Sequence, residues 1–279
     1  MTMKIGMSNY SLRNYFTRGK FSFTDFSFIN DLFPDIQGLE LIADNLEARD
    51  LDEEVDVVKS AAEDCGLEWF ALTTGSGEFG ANAVPHWHHD AEYMQGFDRM
   101  LEFRIGYGLE WIEKAAEVGI GLMRIDCSSF VFNHKIPVTK AIDWNIQQNV
   151  LAYEKFCKAG KENGIEIGIE NHGGFASDLS VLERLFDAVP ELKLCFDIGN
   201  LPDSDRIRII EKFGDRINFV HAKTYEFDEQ GCEKYFDYEM IIGKLKDAGF
   251  NGWMSIEFEG PGDQIEGVKK TTELLKKYI

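Results

Sequence analysis

Short apolar runs recur along the chain at 4–8, 38–43, 67–73, 122–127, 165–171, 192–197, 217–223 and 252–258. Each is rich in Ile, Leu, Val, Phe or Met and bounded by turn residues, the pattern of parallel strands buried on both faces. Stretches of helical periodicity separate them at 52–65, 99–118, 142–163, 179–189, 204–213 and 238–248, with a last one at 265–279. Several end at a glycine just before the next run, as in AEDCGLEW, AAEVGIGL, GKENGIEI and LKDAGFNG. A glycine there supplies the left-handed residue that closes a helix. The aromatic-rich segment NYFTRGKFSFTDFSFINDLF fits the core-facing stripe of a first helix, with Tyr15 or Phe16 near a site mouth. Eight strands alternating with helices predict an α/β fold, the (β/α)8 TIM barrel. SNYSLRNYF after the first run holds no Gly-rich phosphate loop, which argues against an open nucleotide-binding sheet. No linker divides the 279 residues, so one domain over 1–279 is expected.

One stretch breaks the alternation. Residues 74–98 carry no period, and a loop of that length in a compact barrel is usually functional. It reads as a lid over the substrate. Trp87 within it is a candidate substrate contact, because an indole stacks on the C–H face of a sugar. His86, His88 and His89 around it make a poor metal set, because the adjacent His88 and His89 diverge in an extended loop; a solvated loop is the plainer alternative.

Alternation along the last four runs places the chemistry. In IEIGIENHGG, Ile165, Ile167 and Ile169 share one face, and Glu166, Gly168, Glu170 and His172 the other. Asp197 is out of phase with Leu192, Leu194 and Phe196; His221 and Lys223 oppose Val220 and Ala222. Trp253, Ser255, Glu257 and Glu259 oppose Met254, Ile256 and Phe258. The apolar faces suit packing against helices, so the polar sets point inward. Glu170, Asp197, His221 and Glu257 therefore stand at four successive strand ends, on the face where such barrels keep their active sites. Three carboxylates at close quarters repel one another unless a cation lies among them. One divalent metal ion is expected, and the oxygen-rich set suits Mn2+ or Mg2+, with Co2+ or Zn2+ as further options. Glu259 is the alternative to Glu257. His172, Lys223 and Glu40 either touch substrate oxygens or bond to a ligand side chain. Arg124 and Asp126 form a buried ion pair low in the barrel or, in the case of Arg124, contact substrate.

Composition narrows the classes. Forty-nine acidic against 29 basic residues give a formal charge of -20, which repels nucleic acid and anionic membrane surfaces. Five cysteines without a Cys-x-x-Cys pair do not form a disulfide framework or zinc ribbon; Cys127 and Cys195 fit small buried apolar positions. MTMKIGMSNYSL lacks the apolar core of a signal peptide and no apolar run is long enough to span a bilayer, so a cytoplasmic setting is expected.

The segments IEIGIENHGG, LCFDIGN, FVHAK and GFNGWMSIEFEG, with GLELIAD around Glu40, resemble the xylose isomerase-like barrel superfamily and, more closely, its sugar phosphate isomerase/epimerase group. The resemblance implies Glu170, Asp197, His221 and Glu257 as metal ligands, Glu170 and Glu257 doubling as acid and base on opposite faces of the substrate. It also implies a small polyhydroxylated carbonyl substrate and assembly as a homodimer or homotetramer. Where ketose 3-epimerases of the group carry a histidine, this chain has Asn200, a candidate substrate contact, and no arginine follows His221 before the next helix. Inosose and dehydroshikimate dehydratases share the metal site. The resemblance therefore leaves open a sugar isomerase or epimerase and a lyase of a cyclic keto-polyol, with a non-catalytic sugar-binding barrel as the remaining alternative. An apurinic endonuclease is disfavoured by six histidines and the acidic charge.

Overall fold

The computed structural model describes residues 3–43, 46, 51–75, 91–127 and 138–279. The eight runs are eight strands: β1 Lys4–Ser8, β2 Gly38–Ile42, β3 Glu68–Thr74, β4 Leu122–Ile125, β5 Glu166–Glu170, β6 Lys193–Asp197, β7 Ile217–Thr224 and β8 Trp253–Phe258. They follow one another in chain order around a closed barrel. The main helices between and after them are α3 Leu51–Asp64, α4 Ala91–Glu117, α5 Val138–Asn163, α7 Leu179–Ala188, α8 Asp203–Phe213, α9 Tyr238–Asp247 and α10 Gln264–Tyr278. Two short helices, α1 Arg13–Thr17 and α2 Ser27–Leu32, follow β1, and α6 Gly173–Ala176 follows β5. The glycines expected to stop helices do so: Gly66, Gly119, Gly164 and Gly249 have φ of 70°, 76°, 74° and 82°. No described helix is long and apolar enough to cross a membrane.

Internal contacts divide the chain into two compact units, Met1–Thr73 with Leu194–Ile279, and Thr74–Lys193. In the first, the N-terminal floor is aromatic: Phe70 stacks on Trp253 at 4.2 Å between centroids, and Phe219 meets Phe70 edge-on. Two bulges set the strand faces above that floor. Opposite Leu39–Glu40, β3 steps from Trp69 to Ala71; opposite Leu194–Cys195, β7 steps from Ile217 to Phe219. Each extra residue switches the face that the strand beyond it presents. Asp197, His221 and Ser255 then share one rung of the ladder, and Lys223 pairs with Glu257 one inward step closer to the C-terminal face. In the second unit, Tyr153 and Phe156 are fully buried, and the Tyr153 hydroxyl donates to Ile125 O at 2.8 Å, tying α5 to β4.

Three expectations change. The segment 74–98 is not irregular at its two ends: Thr74 completes β3 and α4 already begins at Ala91. Gly96 and Asp98 weaken the local helical pattern, but Ala91, Glu92, Met94 and Gln95 favour it. The rest of the lid reading, with Trp87, lies outside the described residues. The aromatic segment is not a core-facing helix: α1 stops at Thr17 before Gly19 (φ 63°), and none of its residues is buried. Phe21 instead stacks on Phe28 at 3.8 Å and Phe16 on Phe23 at 4.5 Å, all four half-buried; only Phe26, Ile29 and Phe33 nearby enter the core. Finally, Cys195 is buried as expected, whereas Cys127 is only partly so.

Candidate metal-binding site

Within the first unit, Asp197 ends β6, Glu257 stands one residue before the end of β8 and His221 three before the end of β7, and their donor atoms lie within 4.8 Å of one another. His221 Nδ1 is 3.6 Å from both Asp197 Oδ2 and Glu257 Oε2. All three side chains are buried. The turn after β6 aims the aspartate: its Oδ1 accepts from Gly199 N at 2.6 Å and Asn200 N at 3.1 Å, which leaves Oδ2 facing inward. A Cβ on residue 199 would lie 2.5 Å from Lys223 Cδ, so glycine is required by close approach.

Lys223 dominates the electrostatics here. Its Nζ is 3.0 Å from Asp197 Oδ2, 2.9 Å from Glu257 Oε2 and 3.3 Å from Glu259 Oε1, and it donates to Asn200 Oδ1 at 3.4 Å. The repulsion among the carboxylates, which the sequence alone assigns to a metal, is thus met in part by an ammonium from β7. Tyr225, just beyond β7, has its phenol pushed up to about 12, first by burial and further by Glu259 and Asp197. The loop carrying it is braced by Glu233, whose carboxylate accepts from the backbone N–H of Tyr225, Glu226, Tyr235 and Phe236.

Behind His221 lies Glu40, wholly buried. Its Oε1 is 2.9 Å from His221 Nε2 and accepts from Thr73 Oγ1 at 2.5 Å, while Oε2 accepts from Ser255 Oγ at 2.5 Å. Burial alone would raise its pKa, but His221 and the two hydroxyls outweigh it and hold the carboxyl down to about 2. Both oxygens are taken by protein groups, so of the two roles open for Glu40 the geometry gives the bond to a candidate ligand.

The remaining candidates lie in the second unit. Glu170 ends β5 and is buried. Its Oε2 is 2.8 Å from Arg124 Nη1. The same guanidinium donates through Nε to Asp126 Oδ1 at 2.9 Å, with a second contact from Nη2. The expected ion pair therefore exists, but it stands at the upper end of β4 and includes Glu170. Burial pushes Asp126 up, yet Arg124 and His172 hold it well below the usual carboxylate range. The pKa of His172 is raised, chiefly by Asp126, whose Oδ2 lies 3.7 Å from its Nδ1. More than half of the His172 side chain is exposed.

The donor set of the first unit fits a divalent ion. Two carboxylates and an imidazole are the ligand types of Mn2+, Mg2+ and Zn2+ sites. A spacing of 3.6 Å is close to what two ligands subtend when each is about 2.1 Å from one ion. Sequence periodicity placed the ligand candidates and offered Glu40 and Lys223 as their partners, but missed the two hydroxyls that hold Glu40. Ser255 carried a usable signal, since it shares the inward face with Glu257; Thr73 carried none, because a bulge separates it from the start of its strand.

Comparisons agree with this architecture. The alpha subunit of a C-glycoside deglycosidase from Arthrobacter globiformis is 32% identical over 98 residues, covering 32% of this chain and 27% of that one. The matches span less than half the length of the curated relatives concerned. Two crystal structures superpose over nearly the whole fold: a 3-keto-D-glucoside 4-epimerase from E. coli, with TM-score 0.69, 13% identity and coverage of 99% and 100%, and a D-allulose 3-epimerase from Methylomonas sp., with TM-score 0.64, 14% identity and coverage of 100% and 98%. The sequence profile of the xylose isomerase-like TIM barrel matches residues 35–278. The chain belongs to that family.

Proposed function

We propose that Asp197, His221 and Glu257, joined by Glu170 from the neighbouring strand, hold one divalent ion, Mn2+ or Mg2+ ahead of Co2+ or Zn2+. On this reading the chain is an isomerase or epimerase of a small polyhydroxylated carbonyl compound. The observation that carries it is the convergence of three buried donors from three successive strands toward the C-terminal face. The names of the relatives point the same way, since they include two keto-sugar epimerases and a deglycosidase subunit.

The ion would polarise a carbonyl and its neighbouring hydroxyl and so raise the acidity of the C–H beside them. Glu257 Oε2 removes that proton on one face, and Glu170 returns one on the other. Lys223 Nζ and Asn200 hold substrate oxygens near the ligands, with Arg124 and His172 serving the Glu170 side. Trp87 is the proposed aromatic contact from the lid. The acidic charge suits a neutral sugar and opposes nucleic acid. A single domain over 1–279, a cytoplasmic setting and a homodimer or homotetramer belong to the same reading.

The test is elemental analysis of the purified protein, then incubation with ketoses, inososes and 3-keto-sugars in D2O. Stoichiometric metal, and deuterium at the carbon next to the carbonyl without loss of water, are expected. No bound metal after incubation with Mn2+, Mg2+, Co2+ and Zn2+ overturns the proposal. A dehydratase is the second reading, favoured by Lys223: an ammonium 2.9 Å from Glu257 can hand a proton to a departing hydroxyl while the carboxylate takes one from carbon. Net loss of water from an inosose in the same assay selects it.

A further inference from the structure

We infer that Glu40 is a positioning residue that presents His221 to the metal through Nδ1, with Thr73 and Ser255 as the clamp that orients it. The inference rests on the reading of His221 as a ligand. An imidazole can ligate only through a nitrogen that carries no proton, and the proton on the other nitrogen is placed by whatever accepts it. His221 Nε2 lies 2.9 Å from Glu40 Oε1, so Nε2–H donates to that carboxylate. Nδ1 keeps its lone pair and faces Asp197 Oδ2 and Glu257 Oε2. The opposite tautomer would aim an N–H at the metal position and a lone pair at Glu40, losing both interactions.

Three strands build the cradle for this one carboxylate. Thr73 of β3 and Ser255 of β8 each donate a hydroxyl at 2.5 Å, and His221 comes from β7. Glu40 and Ser255 are each 0% exposed and Thr73 is 2% exposed, so no substrate atom reaches them. The Phe219 ring meets the imidazole edge at 5.5 Å and restrains its plane. Glu40 thus acts on the site only through His221. Its removal should alter how tightly, and through which nitrogen, the histidine binds metal. An ordinary buried ion pair would alter stability alone.

The experiment uses the full chain, labelled with 15N-histidine, and Mn2+ as the probe. Long-range 1H–15N spectra of metal-free wild-type protein should show His221 with its proton on Nε2. In Glu40→Gln, the amide NH2 competes as a donor toward Nε2, and the Nδ1–H tautomer should become populated. Calorimetric Mn2+ affinity should then fall roughly 10- to 100-fold. Glu40→Asp should recover part of the loss, and Ser255→Ala should weaken binding by a smaller factor, about three- to tenfold, with circular dichroism unchanged. Should Glu40→Gln not fold, the Asp and Ser255 variants carry the test. Wild-type His221 with its proton on Nδ1, or folded variants that bind Mn2+ as tightly as wild type, overturn the inference. Wild type that binds no Mn2+ defeats the metal-site reading instead, and the tautomer then still decides the role of Glu40.

Discussion

The acids at the ends of β6 and β8 share a lysine, whereas those beside β4 and at the end of β5 share an arginine, and the two arrangements are built for different tasks. Arg124 reaches Asp126 through two nitrogens and Glu170 through a third, a planar fork matched to carboxylates and charged at every accessible pH. Arg104 adds to that rigidity by donating to Asp126 O at 2.9 Å and to Asn149 Oδ1 at 3.0 Å. Lys223 is a point charge on a flexible stem, spread over Asp197, Glu257 and Glu259 at 2.9–3.3 Å without a fixed fork. The arginine fork fixes the geometry of its acids; the lysine contacts are spread over three carboxylates and Asn200, and on the proposed reading Asp197 and Glu257 exchange the ammonium for the metal.

The largest expected effect comes from the lysine side. Asp197→Asn or Glu257→Gln should lose bound Mn2+ and cut kcat about a thousandfold, the range for losing a metal-linked acid–base group, measured by elemental analysis with steady-state kinetics. Unaltered metal content in both variants would remove the contrast. Next, Arg124→Met should destabilise the fold by about 3 kcal/mol, because it strands two acids in a low-dielectric setting, and Mn2+ should restore little of that in urea denaturation. Lys223→Met should cost less, about 2 kcal/mol, and here the Mn2+-induced rise in Tm should exceed that of wild type, since the competing cation is gone. Equal rescue of the two variants by Mn2+ would show that lysine and arginine play one role. The smallest effect is a control away from both clusters. Asp263 caps α10 by accepting from Glu266 N, so Asp263→Ala should cost about 1 kcal/mol with no change in metal binding. The Tyr15 hydroxyl and the Glu266 amide lower the pKa of Asp263. The stability it adds is therefore present above the ordinary aspartate value and lost as pH falls through the lowered one, a slope that the alanine variant should lack.

Strand content and inward faces were legible because both follow from local alternation. Ile165, Ile167 and Ile169 against Glu170 needed only a period of two, and the helix-stopping glycines needed only their place before a run. What stayed hidden was long-range. Nothing near Lys223 announces that it pairs with residues 26 positions earlier and 34 and 36 later in the chain, and nothing near Thr73 announces Glu40. The aromatic segment misled for a related reason: the spacing of Phe16, Phe21, Phe23 and Phe28 permits a buried stripe, but Gly19 and the Ser22–Asp25 bridge fold the chain back so that the rings stack on one another. Arg124 was paired correctly with Asp126, yet its height in the barrel depended on Glu170, which local pattern does not supply.

The close approach at Gly199 extends to inheritance and design. Because a methyl group there would collide with the stem of Lys223, position 199 is free to vary only once residue 223 has been shortened. A lineage or a laboratory library that shortens residue 223 opens residue 199 to alanine or serine, and one that keeps the lysine should return glycine at 199 every time.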